Sequence, residues 1–376
     1  MPFSELIAQD RALSPLRSAL RRGTLHHAYL FGGPEGVGKA RAARLLAQAA
    51  NCEGDGTAPR DDACGVCGPC RKIAKGVHPD VLVLAEEREM AKRGAWEPKG
   101  GRSPSRDIVV DQVRDLVDRR LAMKRYEGRR RFVIVDPADA MNPQAQNALL
   151  KTLEEPPDGT TLVLVASSPD ALLPTIRSRC ARVTFGPLPD DFIQARLGEL
   201  EAGRIEKRLH EREKAATAEG ETLGERERGA VAEEVRRELR IGVALASGSL
   251  SRALGAQASL EAIREALEEV VALPEDDAGA WLAFAGRHGA DRDRAGQVCE
   301  ALQLWLRDVA AAQAGAAELA LADLADATRR VAAALSPAEA LRRRREVRRA
   351  AAALRQNGAP VLALEAMLIG WFHGRT

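Results

Sequence analysis

The sequence predicts an α/β domain with a parallel sheet and flanking helices, followed by an all-helical remainder. Three observations carry this. Short runs rich in Val, Ile and Leu alternate with helix-like runs over residues 1–187, as a buried parallel sheet demands. A glycine-rich loop, Gly33-Pro34-Glu35-Gly36-Val37-Gly38-Lys39, lies between one such run and a helix-like segment. After Gly186-Pro187-Leu188-Pro189 the strand-like runs stop, and Ala, Leu, Glu and Arg dominate to the end. With 376 residues the chain has room for two or three domains and a sizeable core.

Five strands are expected, at residues 28–31, 81–84, 132–135, 161–166 and 181–185. Each is short and rich in Val, Ile or Leu, as the strands of a buried parallel sheet are. The loop after the first strand fits the phosphate-binding pattern G-x-x-x-x-G-K. Gly33, Gly36 and Gly38 let backbone N–H groups turn in around phosphate oxygens, and Lys39 adds a point charge. The pattern then wants Ser or Thr, whose hydroxyl holds Mg²⁺, but here stands Ala40. The cradle survives while the metal loses a protein ligand. The run Phe132-Val133-Ile134-Val135 ends on Asp136, the way a buried strand delivers an acid to magnesium. The carboxylate that polarises the attacking water usually follows; here it is Pro137, which can neither accept a proton nor orient water. Two independent losses predict a chain that does not hydrolyse ATP by itself and binds ATP or ADP weakly or not at all. Asp139 is the alternative acid.

Composition sets the broad class. The chain is 45% hydrophobic, 29% charged and only 3% aromatic, which is ordinary for a globular protein that leans towards helix. A net charge of +2 gives no global electrostatic case for nucleic acid. No basic start with an apolar stretch and small-residue cleavage site opens the sequence. No apolar run reaches the roughly eighteen residues of a membrane span. A cytoplasmic protein is expected. There, six cysteines read as metal ligands or core residues rather than disulfides. Cys52, Cys64, Cys67 and Cys70 follow the order C-x11-C-x2-C-x2-C. Cys-x-x-Cys turns with Gly and Pro let two thiolates face one ion at about 2.3 Å. Four sulfurs without a histidine in the run favour a closed structural Zn²⁺ site, in a module over about residues 52–70, with a redox pair as the alternative. Cys180 and Cys299 stand alone and are expected in the core. Residues 86–106, rich in Gly, Pro, Lys and Arg, read as a mobile surface loop.

The helical remainder divides at Leu273-Pro274-Glu275-Asp276-Asp277. Residues 188–273 should form a small helical unit with a charged insertion at about 199–240, an exposed helical hairpin or a partly disordered segment. The run Arg342-Arg343-Arg344-Arg345, with Arg348 and Arg349, would spread charge round a helix. No aromatic interleaves it to stack a base, so a solvated face or subunit contact is favoured over DNA contact.

The motifs stand in a recognisable order. His27-Ala28-Tyr29-Leu30-Phe31 leads into the loop, and the four-cysteine insertion follows the loop helix. Then come Val77-His78-Pro79-Asp80-Val81, Ile108-Val109-Val110-Asp111-Gln112-Val113-Arg114, Asn147-Ala148-Leu149-Leu150-Lys151-Thr152-Leu153-Glu154-Glu155-Pro156-Pro157 and Ser178-Arg179-Cys180. The set resembles the AAA+ subunits of bacterial DNA polymerase III clamp loaders, over about residues 24–187. Within that group it resembles the delta-prime type, set apart from the ATP-hydrolysing gamma/tau type by Ala40 and Pro137. Beyond residue 187 the likeness lies in helical character, with Trp305-Leu306-Arg307-Asp308 the most family-like patch.

The resemblance implies an AAA+ P-loop domain over residues 1–187, a helical lid over 188–273 and a helical collar for oligomerisation over 274–376. It implies that Arg179 is an arginine finger offered to a neighbouring subunit's nucleotide. Arg252 resembles the lid's sensor arginine, slightly off the usual spacing, and Ser167 or Ser168 falls at the sensor position of the fourth strand. It further implies partners: gamma/tau and delta subunits in a hetero-pentameric ring, with the sliding clamp and primer-template DNA reached through the complex during DNA replication. The competing expectations are a hydrolysing gamma/tau-type subunit and, disfavoured by charge, a stand-alone zinc-dependent DNA-binding protein.

Overall fold

In the computed structural model, which describes residues 3, 6 and 8–373 apart from 55–60, 219–221, 223, 247, 257–259, 275, 318, 322–323 and 356–357, five short apolar segments form one sheet. They are β1 (Ala28–Gly32), β2 (Val81–Leu84), β3 (Arg131–Val135), β4 (Thr160–Ala166) and β5 (Ala181–Thr184). Their order is β2-β3-β4-β1-β5, and every pairing is parallel. All five lie within a residue of the expected bounds. β3 and β4 are buried along their whole length, which is why their sequences show no polar alternation. β3 begins one residue early, at an arginine. Arg131 is 4% exposed and donates through Nη1 to the carbonyls of Met123 (2.8 Å) and Leu121 (3.2 Å), while its Nε is buried without a partner among the described residues.

The register places Gly32 opposite both Ala166 and Thr184. The carboxyl ends of β1, β4 and β5 therefore finish level, and the loops that leave them gather at one edge of the sheet. That edge is where open α/β sheets bind ligands. The helices of this part are α1 (Asp10–Arg22), α2 (Lys39–Asn51), α3 (Gly68–Ala74), α4 (Glu87–Lys92), α5 (Val110–Asp115), α6 (Pro143–Glu154) and α7 (Pro174–Arg179). α6 starts where its sequence says it should. The Asn142 side chain accepts the Ala145 N–H at 2.8 Å, and Pro143 takes the first helical position, where a missing N–H costs nothing.

The expected mobile loop at residues 86–106 is instead folded around one acid. Glu87 is fully buried and accepts from both Arg102 Nη atoms (2.6 and 2.7 Å), the Ser105 amide (2.8 Å) and Trp96 Nε1 (3.1 Å). Four donors satisfy a carboxylate that would otherwise be very costly to bury. The glycines and prolines mark the turns that wrap it.

The His78-Pro79-Asp80 segment has a similar logic. Asp80 is 1% exposed, and its carboxylate accepts the amides of Tyr126 (3.0 Å), Glu127 (2.8 Å) and Gly128 (2.7 Å), while Arg131 Nη2 lies 3.5 Å away. One side chain thus ties the start of β2 to the loop before β3.

The chain packs as two units, Met1–Pro189 and Asp190–Thr376. In the second, the regular elements among the described residues are all helices: α8 (Asp190–Ala218), α9 (Glu225–Ala246), α10 (Leu250–Ala256), α11 (Leu260–Ala272), α12 (Ala278–His288), α13 (Arg292–Gln313), α14 (Ala325–Ala334), α15 (Pro337–Arg355) and α16 (Pro360–His373). α8 and α9 form a hairpin laced by charge: Arg212–Glu234 at 3.1 Å, Arg228–Glu213 at 2.8 Å and Arg236–Glu201 at 2.9 Å. Its residues 219–221 and 223 lie outside the described set. The core of this unit centres on Trp305, Trp371 and Phe284. Trp305 Nε1 donates to Thr328 Oγ1 at 3.1 Å, and buried Asp308 accepts the Leu321 amide at 2.8 Å. Of the Trp305–Asp308 patch, Trp305, Leu306 and Asp308 are therefore core, while Arg307 is exposed.

The arginine run splits in two. Arg343 is 7% exposed and stacks over Trp371 and Phe372, 5.4 and 5.5 Å from their centroids. Arg342 donates to the carbonyls of Gly370 and Trp371 at the end of α16. Only Arg344, Arg345, Arg348 and Arg349 face solvent, so the expected solvated face holds for those four.

Replacing Asp80 by Ala should cost about 3 kcal/mol, because three amides and a buried guanidinium lose their acceptor. Desolvation pushes this carboxyl up, but the amides of Gly128, Glu127 and Tyr126 and the charge of Arg131 bring it below the ordinary value. A depressed folded pKa gives stability that is present above the unfolded value of about 3.9 and lost as pH falls through the folded one. In urea titrations the gap between wild type and Asp80→Ala should therefore be full at neutral pH and shrink in acid. A gap that is constant with pH would contradict this account.

Candidate functional site

At the carboxyl edge of the sheet, the loop between β1 and α2 is shaped by three glycines. Gly33, Gly36 and Gly38 have φ of 147°, 71° and 97°, all in the region that favours glycine. Gly33 also has no room: a Cβ there would lie 2.3 Å from the Phe185 carbonyl oxygen. Gly38 caps α2, whose first amides have no partner within the helix, and the helix dipole points its positive end at the loop. This is an anion cradle.

Lys39 is 5% exposed and folds back into that cradle. Its Nζ donates to the carbonyls of Gly33 (2.7 Å) and Pro34 (2.5 Å) and to Ser167 Oγ (3.2 Å). Burial lowers its pKa, against the opposing pull of Asp139, Glu35 and Asp136. The expected sensor position thus reaches the phosphate-site lysine through Ser167.

Asp136 stands at the end of β3, its amide donating to the Leu84 carbonyl at 2.9 Å. Burial raises its pKa, opposed by the charges of Arg44, Lys39 and Arg93. The influence of Arg44 and Arg93 was invisible in the sequence, since neither belongs to the motif. Pro137 follows. Asp139 is committed elsewhere: its Oδ2 accepts the amides of Ser167 (3.1 Å) and Ser168 (2.8 Å), fixing the exit of β4. The site thus gathers a glycine turn, a buried lysine and Asp136, has no hydroxyl at Ala40, and holds Asp139 by Oδ2 alone, its Oδ1 being buried without a partner among the described residues.

Leu6 and Gln9 pack at the base of the loop. A Cβ on Gly38 would meet Leu6 Cδ2 at 2.9 Å. Gln9 pairs both ways with Gly186, Nε2 to the carbonyl at 2.9 Å and the amide to Oε1 at 3.1 Å.

The four sulfurs of Cys52, Cys64, Cys67 and Cys70 lie within 4.8 Å of one another. A tetrahedral ion with sulfur at about 2.3 Å needs sulfur–sulfur edges near 3.8 Å, so the set fits with small shifts. The Gly54 and Cys64 amides donate to Cys52 Sγ at 3.3 and 3.4 Å, and the Cys67 amide to Cys64 Sγ at 3.3 Å. Such amides stabilise thiolates. Desolvation pushes Cys67 up, yet the amides of Cys70 and Glu53 and the neighbouring thiols bring it down to about 7. Desolvation raises Cys52 and Cys70. Beside the cluster, Asp62 Oδ1 accepts the Phe3 amide at 2.8 Å and Asp61 pairs with Arg17 at 3.2 Å, so the module anchors the N-terminal segment. Cys180 and Cys299 are buried and apart from it.

Arg179 is the last residue of α7. Its Nη1 donates to the Thr175 carbonyl at 2.9 Å, and its Nη2 lies 2.6 Å from Glu154 Oε1 at the end of α6. Arg252 lies on α10 in the second unit, where its Nη2 is 3.3 Å from Glu300. The structure thus joins Gly33, Gly36, Gly38, Lys39 and Asp136 at one sheet edge, and gathers the cysteines in a separate cluster.

A parallel sheet with a glycine cradle, a buried lysine and an acid at its carboxyl edge defines an α/β domain of the P-loop type. Residues 8–189 match the family described as DNA polymerase III, delta subunit. They are similar to the DNA polymerase III subunit delta' of Pseudomonas aeruginosa, 43% identical over 163 residues, which cover 43% of this chain and 44% of that protein. They are also similar to the gamma/tau subunit of Mycobacterium tuberculosis, 35% identical over 198 residues (53% of this chain, 31% of that protein). The tau subunit of Escherichia coli is 35% identical over 195 residues, covering 52% and 27%. This first unit is thus similar to DNA polymerase III subunits of the delta'/gamma/tau kind. The matches span less than half the length of those relatives.

Elemental analysis of the extensively dialysed chain should find one tightly held metal ion. Cys67→Ser should release it and lower the melting temperature. A metal-free chain that melts at the same temperature would count against the cluster as a metal centre.

Proposed function

We propose that the chain is the delta-prime subunit of a DNA polymerase III clamp loader, a non-hydrolysing AAA+ subunit that supports placing the sliding clamp on primed DNA during replication. One observation carries this reading: the phosphate cradle is intact while two catalytic groups are gone. Ala40 offers magnesium no hydroxyl, and Pro137 offers water no base. The engagement of Asp139 with two backbone amides supports it, since that acid has other work. Gly33, Gly36, Gly38, Lys39 and Asp136 would then bind ATP or ADP weakly or not at all.

In this reading Arg179 acts on a neighbour. Placed at a helix end with its side chain 36% exposed, it would stabilise charge on a phosphate held by the adjacent subunit, an effect worth about 10³–10⁵ in rate where such fingers have been measured. Arg252 would be the lid's sensor. Residues 1–187, 188–273 and 274–376 would serve as nucleotide-binding-type domain, lid and collar. Cys52, Cys64, Cys67 and Cys70 would hold zinc as a structural cross-link. Gamma/tau and delta subunits would be partners in a hetero-pentameric ring, and the sliding clamp and primer-template DNA would be met through that assembly. The proposed compartment is the cytoplasm; among the described residues no helix is long and apolar enough to cross a membrane.

The second reading is an ATP-hydrolysing gamma/tau-type subunit, favoured by the 198-residue match to a gamma/tau relative. Turnover decides between them. The purified chain should release negligible phosphate from ATP. Steady release at the rate of a working loader, abolished by Lys39→Ala, would establish the second reading. In complexes rebuilt with Arg179→Ala, DNA- and clamp-stimulated hydrolysis should fall partially while incorporation stays complete. Unchanged rates with full incorporation would reduce the subunit to a scaffold.

A further inference from the structure

We infer that Glu154 is the positioning residue of Arg179, an inference that rests on the finger reading above. Glu154 ends α6 and is followed by Glu155. Two carboxylates at the negative end of a helix dipole weaken that helix, so helix stability does not explain an acid at this position. Its partner does: Arg179 Nη2 sits 2.6 Å from Glu154 Oε1.

The pair contributes little to the fold. Its side chains are 36% and 49% exposed, and such surface pairs are weak. What it does is fix direction. A free arginine samples many rotamers, and its planar fork is useful only when aimed. Here the guanidinium is held at two points, Nη1 on the Thr175 carbonyl at 2.9 Å and Nη2 on Glu154. Ser178 Oγ donates to the same Thr175 carbonyl at 3.1 Å, so the helix end beneath the arginine is itself tied. The carboxylate contact is an ion pair, and the hydrogen bond the guanidinium makes is the one to Thr175. Of five N–H donors most therefore stay open to a phosphate oxygen. Glu154 orients the fork without consuming it.

The test uses loader complexes rebuilt with Glu154→Ala, Glu154→Gln, Arg179→Ala and the double variant Glu154→Ala/Arg179→Ala. Glu154→Ala should lower the stimulated hydrolysis that depends on Arg179 by about tenfold, less than the roughly 10²-fold cost of a 1 Å misplacement. The fall should lie in kcat with KM for ATP unchanged. Glu154→Gln should recover only part of it, since the amide keeps the shape of the side chain but not the charge of the ion pair. In the Arg179→Ala background Glu154→Ala should change nothing. In the isolated chain, phenylglyoxal should modify Arg179 faster in Glu154→Ala than in wild type. If Arg179→Ala slows the complex and Glu154→Ala does not, this inference falls and the finger stands. If Glu154→Ala accelerates hydrolysis, the acid restrains the arginine and the inference is overturned. A further loss in the double variant assigns Glu154 a structural role and overturns it as well. If Arg179→Ala changes nothing in a fully assembled complex, the finger reading fails and takes this one with it.

Discussion

The phosphate loop of this protein depends on Gly33 having no side chain. Its backbone passes so close to Phe185 that any Cβ would overlap the carbonyl oxygen. The contact is reinforced one residue earlier, where the Phe185 amide donates to the Gly32 carbonyl at 2.8 Å, and one residue later, where Gly186 pairs with Gln9. The exit of β1, the exit of β5 and the N-terminal segment are thereby locked together. Everything the site offers is hung from that lock: the turn of the loop, the start of α2, and the path by which Lys39 reaches Ser167. A cradle so constrained keeps its shape whatever residues stand at Ala40 and Pro137.

The strands and the loop were legible because their causes are local. Unbroken β-branched runs such as Phe132–Val135 record burial on both faces, and glycine at Gly33, Gly36 and Gly38 records dihedral angles no other residue adopts freely. The cysteine cluster was legible for the same reason, since a turn of Cys-x-x-Cys sets its own sulfur spacing. The misreadings fell where a charge found a partner far along the chain. Residues 86–106 look like a solvated loop until Arg102 is seen to meet Glu87, fifteen residues earlier, in the interior. Arg342 and Arg343 look like surface until the end of α16 presents two carbonyls and an aromatic face. No pattern within a single window marks such a charge as buried. The tie between Glu154 and Arg179 was hidden likewise, although both residues sit inside motifs the sequence displays.

The zinc-type cluster and the N-terminal segment show how small pieces share stability. The Asp61 and Asp62 carboxylates reach back to Arg17 and to the Phe3 amide, while Gln48 Nε2 donates to the Cys70 carbonyl at 2.8 Å. Few of the module's described residues are apolar, so these hydrogen bonds tie it to its surroundings. Phe3, 1% exposed, is what it gives in return: a buried ring that helps hold the segment at the base of the phosphate loop.

The α8–α9 hairpin is built on a different plan from the rest of the chain. Between residues 198 and 230 no described residue is buried, and its two helices are joined there by arginine–glutamate pairs. Such an arm has no core to set its length. Adding or removing a turn on each helix adds or removes ion pairs in proportion and leaves the packing around Trp305 untouched. Length in this arm is therefore free to drift between related chains while the cores on either side of it stay fixed in size, so insertions and deletions should collect here when relatives are aligned.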